Sequence, residues 1–177
     1  KEYRRQRQMC IRDRVNGGGG VLFNDNPSLE NLKTICEAHI KPGSTSILPT
    51  LISDSPEVNK QAILAITDAL DQKINGLVGL HLEGPHLARA RKGAHEERFI
   101  RPMKEFDCLE LESLANKIPN LMLTVAPEAV SSEQITRLSK AGAIISLGHT
   151  DCTFNQAADA VRAVSYTHLT LPTILLV

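Results

Sequence analysis

Three apolar runs in this sequence end on a residue able to bind a metal or move a proton. NGLVGLHLEGPH carries His81 and Glu83, LMLTVAPE ends on Glu128, and AIISLGHT ends on His149 with Thr150. An unpaired carboxylate at the end of a buried strand is costly, so Glu83 requires a partner. A Glu and a His from separate strands can hold a divalent cation of the zinc or iron class, and Glu83 with His149 is the expected pair. Each also has a plainer role: Glu83 could pair with Arg89 or Arg91, His149 could close the turn after Gly148, and Glu128 could cap the turn after Pro127. His81 lies two residues from Glu83, on the same strand face, and reads as a hydrogen-bonded core or supporting histidine more than as a ligand. His86 and His95 fall in the following loop, where a solvated side chain is expected. His39, late in a helical stretch, suits that helix's negative end. The run Asn16-Gly17-Gly18-Gly19-Gly20 has no following Lys-Ser/Thr and fits neither the dinucleotide fingerprint nor the P-loop; it reads as a tight loop after a strand.

Strands delivering these residues alternate with helices. Ser28 is placed to N-cap a helix with apolar face Leu29, Leu32, Ile35, Cys36 and Ile40, ending near Pro42-Gly43. TSILPTL follows as a strand. Ser55-Pro56 opens a second helix, with the proline in its first turn and the stripe Val58, Ala62, Ile63, Ile66 and Leu70. After GLVGLHLE and a long loop, Asp107 and Glu110 resemble a capping box ahead of Leu111 and Leu114; Ser131 and Gln134 form another, and Gly142 suits a helix C-terminus. NQAADAVRA is the last helix. Strand–helix alternation implies parallel βαβ units, and the nearly continuous apolar strands suit a sheet covered on both faces. The fold class is therefore α/β, either an open doubly wound sheet or a partial (β/α)8 barrel with about four to five βα units; a whole barrel needs roughly 250 residues. In both, polar residues at strand carboxyl ends make the active site.

Composition narrows the function further. Of 177 residues, 42% are hydrophobic and 23% charged, the balance of a globular domain. The formal charge is zero, but basic residues crowd residues 1–14, KEYRRQRQMCIRDR, so the rest of the chain is net acidic. With no basic stripe or aromatic platform beyond that tail, nucleic acid is not an expected partner. No apolar run reaches the roughly 20 residues of a membrane helix, and no leader-type apolar segment follows the N-terminus. Cys10, Cys36, Cys108 and Cys152 form no CxxC pair, which suits a reducing, cytoplasmic location. Three segments result: a basic tail, residues 1–14; a segment of alternating strands and helices, 15–164; and SYTHLTLPTILLV, 165–177. Both end segments read as non-native in character.

The set VNGGGGVLFND, TSILPTL, GLHLEGPHL, RKGAH, TVAPE and SLGHT, in that order over residues 15–164, resembles the N-acetylglucosamine-6-phosphate deacetylase family of the amidohydrolase superfamily. The resemblance implies a metal-dependent TIM barrel that removes the acetyl group of N-acetylglucosamine 6-phosphate, releasing glucosamine 6-phosphate and acetate. It implies a divalent metal ion as cofactor, a phosphorylated amino sugar as small-molecule partner, and a homo-oligomer. By motif, Glu83 in HLEGP and His149 in GHT correspond to metal ligands. Ala94 and His95 in KGAH correspond to a substrate-binding loop, and Asn16 to a position near the metal. The family's third ligand is a His in a THL motif, for which Tyr166-Thr167-His168-Leu169 offers His168. The family continues there with a polar Asn-Ala-Met stretch, whereas TLPTILLV follows here, so His168 stands apart from the expected pair. The family's general-base Asp lies on a later strand, so no residue here is assigned as catalytic and the 177-residue chain is expected to be inactive alone. Other readings are a related amidohydrolase acting on cyclic amides, or a binding module in which the basic tail and glycine run meet an anion.

Overall fold

The computed structural model describes residues 14–164 and the backbone of the strand Thr167–Leu169. The expectations for residues 1–13, 165–166 and 170–177 lie outside the described residues. Two compact units are present: 14–83 with 118–121, and 84–117 with 122–164 and 167–169.

The first unit contains β1 (Arg14–Val15), β2 (Gly17–Gly18), β3 (Val21–Leu22), α1 (Leu29–Ile40), β4 (Leu48–Ile52), α2 (Pro56–Asp71) and β5 (Leu80–Glu83). β1 runs parallel to β4, and β4 parallel to β5, with Thr50 beside His81 and Ile52 beside Glu83. Arg14, assigned to the tail by its sequence, is thus a strand residue paired with Leu48. The glycine run makes the hairpin β2–β3, whose two turn residues, Gly19 and Gly20, have φ of 63° and 86°. Such left-handed pairs suit tight hairpins and favour glycine. Ser28 accepts a hydrogen bond from the Asn31 amide and Ser55 from the Val58 amide, so both expected N-caps form. On α2 the buried stripe is Ala62, Ala65, Ile66 and Ala69. It is turned from the expected one: small alanines let the helix lie close, while Val58, Ile63 and Leu70 are only half-buried.

The second unit contains two short 3-10 turns, Arg89–Arg91 and Glu97–Phe99, then α3 (Glu105–Ala115), β6 (Leu121–Val125), α4 (Ser132–Lys140), β7 (Ile144–Leu147), α5 (Phe154–Arg162) and β8 (Thr167–Leu169). β6 and β7 run parallel, as do β7 and β8. β8 puts His168 in register with Ser146, so regular backbone extends into the segment read as a non-native end. Ser131 and Gln134 make the expected capping box. Asp107 does not begin its helix. It sits in the first turn and accepts from the Lys104 amide at 2.8 Å, with its buried carboxylate also paired to the half-exposed Arg101. All five residues of β6, Leu121 to Val125, are buried, as are Ile145 to Leu147 of β7. The expected α/β class holds, with parallel pairing and, among the described residues, five strand–helix units.

Candidate metal and substrate site

Each strand end delivers a polar group for a different reason. Glu83 is the last residue of β5, its own carbonyl accepting from the Ser53 hydroxyl at 3.4 Å. His81, two residues earlier, is buried, and its Nδ1 meets the Thr50 hydroxyl at 2.9 Å; it is a hydrogen-bonded core histidine, as expected. His149 follows β7 and Gly148, with φ of 49°, a conformation costing a non-glycine residue roughly 1–2 kcal/mol. Its Nδ1 lies 2.8 Å from the Arg91 carbonyl. A carbonyl only accepts, so Nδ1 carries the proton and the neutral ring's lone pair is on Nε2. Metal-binding histidines are commonly oriented this way, one ring nitrogen donating to a carbonyl while the other serves the ion.

The loop expectations need correction at two histidines. His95 is 3% exposed, not solvated, and its ring stands edge-on to His149 with centroids 4.7 Å apart. His86 is equally buried, with Nδ1 3.1 Å from the Arg101 carbonyl. Burial pushes its pKa below 6.5 against the opposing pull of that hydrogen bond and of Asp107. Both are buried because the loop folds back: the Ala126 amide donates to the His86 carbonyl and the Ala88 amide to that of His149. His39 does more than favour a helix end, since its Nε2 donates to the Gly17 carbonyl at 2.8 Å and fastens the hairpin to α1. Asn16 is exposed, and its carbonyl accepts from the Phe23 amide.

In the second unit His95 and His149 stand side by side, and in the first unit β5 ends on Glu83. One carboxylate and two imidazoles are donors of the kind that suit zinc or iron, so these residue types fit a divalent cation. Sequence reasoning found Glu83 and His149 and gave His95 to the substrate loop; its proximity to His149 depends on how that loop folds. Ala94 is exposed beside it. Arg91, offered as a partner for Glu83, instead binds Asp151 through Nε and Nη2 at 3.0 and 2.6 Å. Glu128 accepts from the Thr150 hydroxyl and the Asp151 amide. The side chain of His168 is outside the described residues. Cys36 is no nucleophile, as burial pushes its thiol up to about 11. Cys36, Cys108 and Cys152 are free. No described helix is long and apolar enough to cross a membrane.

Parallel strand–helix units with carboxylate and imidazole groups at the strand ends define an α/β chain whose residue types could hold a cation, and the known proteins it resembles are deacetylases. The chain is 41% identical over 161 residues to an N-acetylgalactosamine-6-phosphate deacetylase of Shewanella sp. (strain ANA-3), covering 90% of this chain and 40% of that protein. It is 36% identical to the N-acetylglucosamine-6-phosphate deacetylase of Haemophilus influenzae, covering 88% and 41%. A crystal structure of N-acetylglucosamine-6-phosphate deacetylase from Pasteurella multocida matches with a TM-score of 0.80 and 35% identity, covering 87% of this chain and 40% of that one. The enzyme from Mycobacterium smegmatis, solved as an aspartate-to-alanine mutant with N-acetyl-D-glucosamine-6-phosphate, matches at 0.78 and 27% identity, covering 89% and 41%. No protein-family model matches. The chain is thus similar, over nine-tenths of its length, to the N-acetylglucosamine-6-phosphate deacetylases and their galactosamine counterpart. It spans about two-fifths of the length of these relatives.

Proposed function

We propose that the whole protein to which this chain corresponds hydrolyses the N-acetyl group of N-acetylglucosamine 6-phosphate, giving glucosamine 6-phosphate and acetate. The observation that carries this reading is the His149 ring, set against buried His95 and held in the tautomer a ligand needs. In this reading Glu83 and His149 hold a divalent cation, and Ala94 and His95 face the sugar. His168 is kept apart from this pair, because the segment after it departs from the family's motif. A bound cation supplies Lewis-acid polarisation of the amide carbonyl and lowers the pKa of water. The chain's own residues position that chemistry: the Arg91 carbonyl fixes the His149 proton on Nδ1, and buried His95 excludes water beside it. The base that takes the proton from water is assigned, from the family resemblance, to an Asp on a later strand. A cytoplasmic location and a homo-oligomer go with the same reading.

A second reading, the galactosamine epimer as substrate, is favoured by the 41% identity to the Shewanella protein. The test is acetate release from both 6-phosphorylated N-acetyl sugars by the whole protein, with and without chelator, beside Glu83→Gln. Release from at least one sugar, abolished by chelator and by Glu83→Gln, is expected; the faster sugar decides the epimer. No acetate from either sugar would overturn the reading.

A further inference from the structure

The His149 turn has more holding it than its ligand role requires, and the additional groups come from two other loops of the same unit. A non-glycine residue at φ 49° persists where its surroundings over-determine it. Ahead of the ring, the Gly148 amide donates to the Val125 carbonyl; the His149 carbonyl accepts from the Ala88 amide at 3.0 Å. Beyond it, the Thr150 hydroxyl donates to Glu128 Oε2 and the Asp151 amide to Glu128 Oε1. The Thr150 oxygen in turn accepts from the Cys152 amide at 3.0 Å. The Asp151 carboxylate takes both Arg91 nitrogens, and Arg91 is the residue whose carbonyl holds His149 Nδ1. One side chain therefore ties the backbone just after His149 to the segment that sets its tautomer.

We infer that Glu128, acting through Thr150 and the Asp151–Arg91 pair, is a positioning residue for His149. It is not itself a ligand: each of its carboxylate oxygens meets a donor from the turn. A glutamine there would turn an amide N–H₂ toward one of those two donors, so Glu128→Gln breaks the device while nearly conserving volume. Thr150→Val removes the hydroxyl with the shape kept, and Thr150→Ser retains it.

The inference rests on the metal-site reading for His149, and the experiment separates the two. In the full chain with nitrogen-15-labelled histidine, ring-nitrogen shifts of His149, assigned by His149→Gln, report its tautomer without any metal; zinc affinity is measured beside them by competition with a chromophoric chelator. The parent and Thr150→Ser should show the Nδ1–H form alone. Glu128→Gln and Thr150→Val should show a mixture, with zinc bound 10- to 100-fold more weakly, the range typical when the support of a ligand is removed. A tautomer change with no zinc binding by the parent would retain the positioning role and overturn the metal reading. Unchanged ring shifts in both variants would overturn the positioning role. So would loss of cooperative melting in Thr150→Val, because the network would then be holding the fold rather than the ring.

Discussion

An alanine at Gly93 would press directly on the proposed ligand. Its methyl would stand 3.3 Å from His149 Cε1 and 3.7 Å from Nδ1, at a backbone φ of 60°. Two costs are mixed in such a variant, the left-handed backbone and the contact. Gly142 separates them: its φ is 100°, yet nothing lies within 4 Å of a methyl built there. Each substitution carries a backbone penalty of roughly 1–2 kcal/mol, and Gly142→Ala bears the harsher one. Only Gly93→Ala also moves the imidazole, by the few tenths of an ångström that a 3.3 Å contact demands. A shift of the ring disturbs the 2.8 Å bond from Nδ1 to the Arg91 carbonyl. A hydrogen bond of this kind is worth about 0.5–1.5 kcal/mol net. At 1.4 kcal/mol per tenfold, its loss weakens metal binding by roughly two- to twelvefold. Urea unfolding should show both variants less stable than the parent, while chelator competition should show weaker zinc binding in Gly93→Ala alone. Equal zinc affinity in the two folded variants would refute the claim that the RKGAH loop holds the His149 ring.

Two further outcomes concern the buried groups of the second unit. Asp107 is 5% exposed and receives both Arg101 guanidinium nitrogens and the Lys104 amide. Removing one partner of a fully buried pair costs about 3–5 kcal/mol; Arg101 is 40% exposed and can regain water, so Asp107→Asn should cost about 2 kcal/mol in urea unfolding, and no measurable change would show that the pair adds no stability. His86 favours its neutral form in the fold, since burial lowers its pKa beneath the 6.5 of the open chain. Its contribution is therefore full above pH 6.5 and is lost as pH falls from there toward the folded value, the unfolded chain taking up the proton first. Unfolding free energies measured from pH 7.5 down to 5 should decline, and the decline should be shallower in His86→Gln; identical slopes would contradict the burial argument.

Much of the architecture was legible because local rules agree with the tertiary outcome. Ser28, Ser55 and Ser131 cap helices where their spacing says they should, since a cap needs only its own first turn. The strands of TSILPTL, GLHLE, LMLTV and AIISL follow from apolar runs bounded by glycine and proline. The departures occur where a distant partner overrides local preference. Asp107 reads as a helix start, but Arg101 and the Lys104 amide place it inside the first turn. The stripe of α2 is turned toward Ala65 and Ala69 because close packing selects small side chains, which hydrophobic periodicity underweights.

The candidate site divides in the same way. Glu83 and His149 were readable because a polar group at the end of an apolar strand is a local anomaly in the sequence, and the ordered motifs around them carry the family resemblance. His95, His86 and Glu128 were not. A loop histidine looks solvated until the backbone folds over it, and the Ala126–His86 and Ala88–His149 hydrogen bonds that do this join residues 40 and 61 positions apart in the chain. Whether Glu128 faces an ion or two donors is likewise a matter of atoms brought together in space. The sequence alone determined which residues could do the chemistry. The tertiary structure decided their protonation, burial and neighbours, because electrostatics and hydrogen bonding depend on distances that only a folded chain defines.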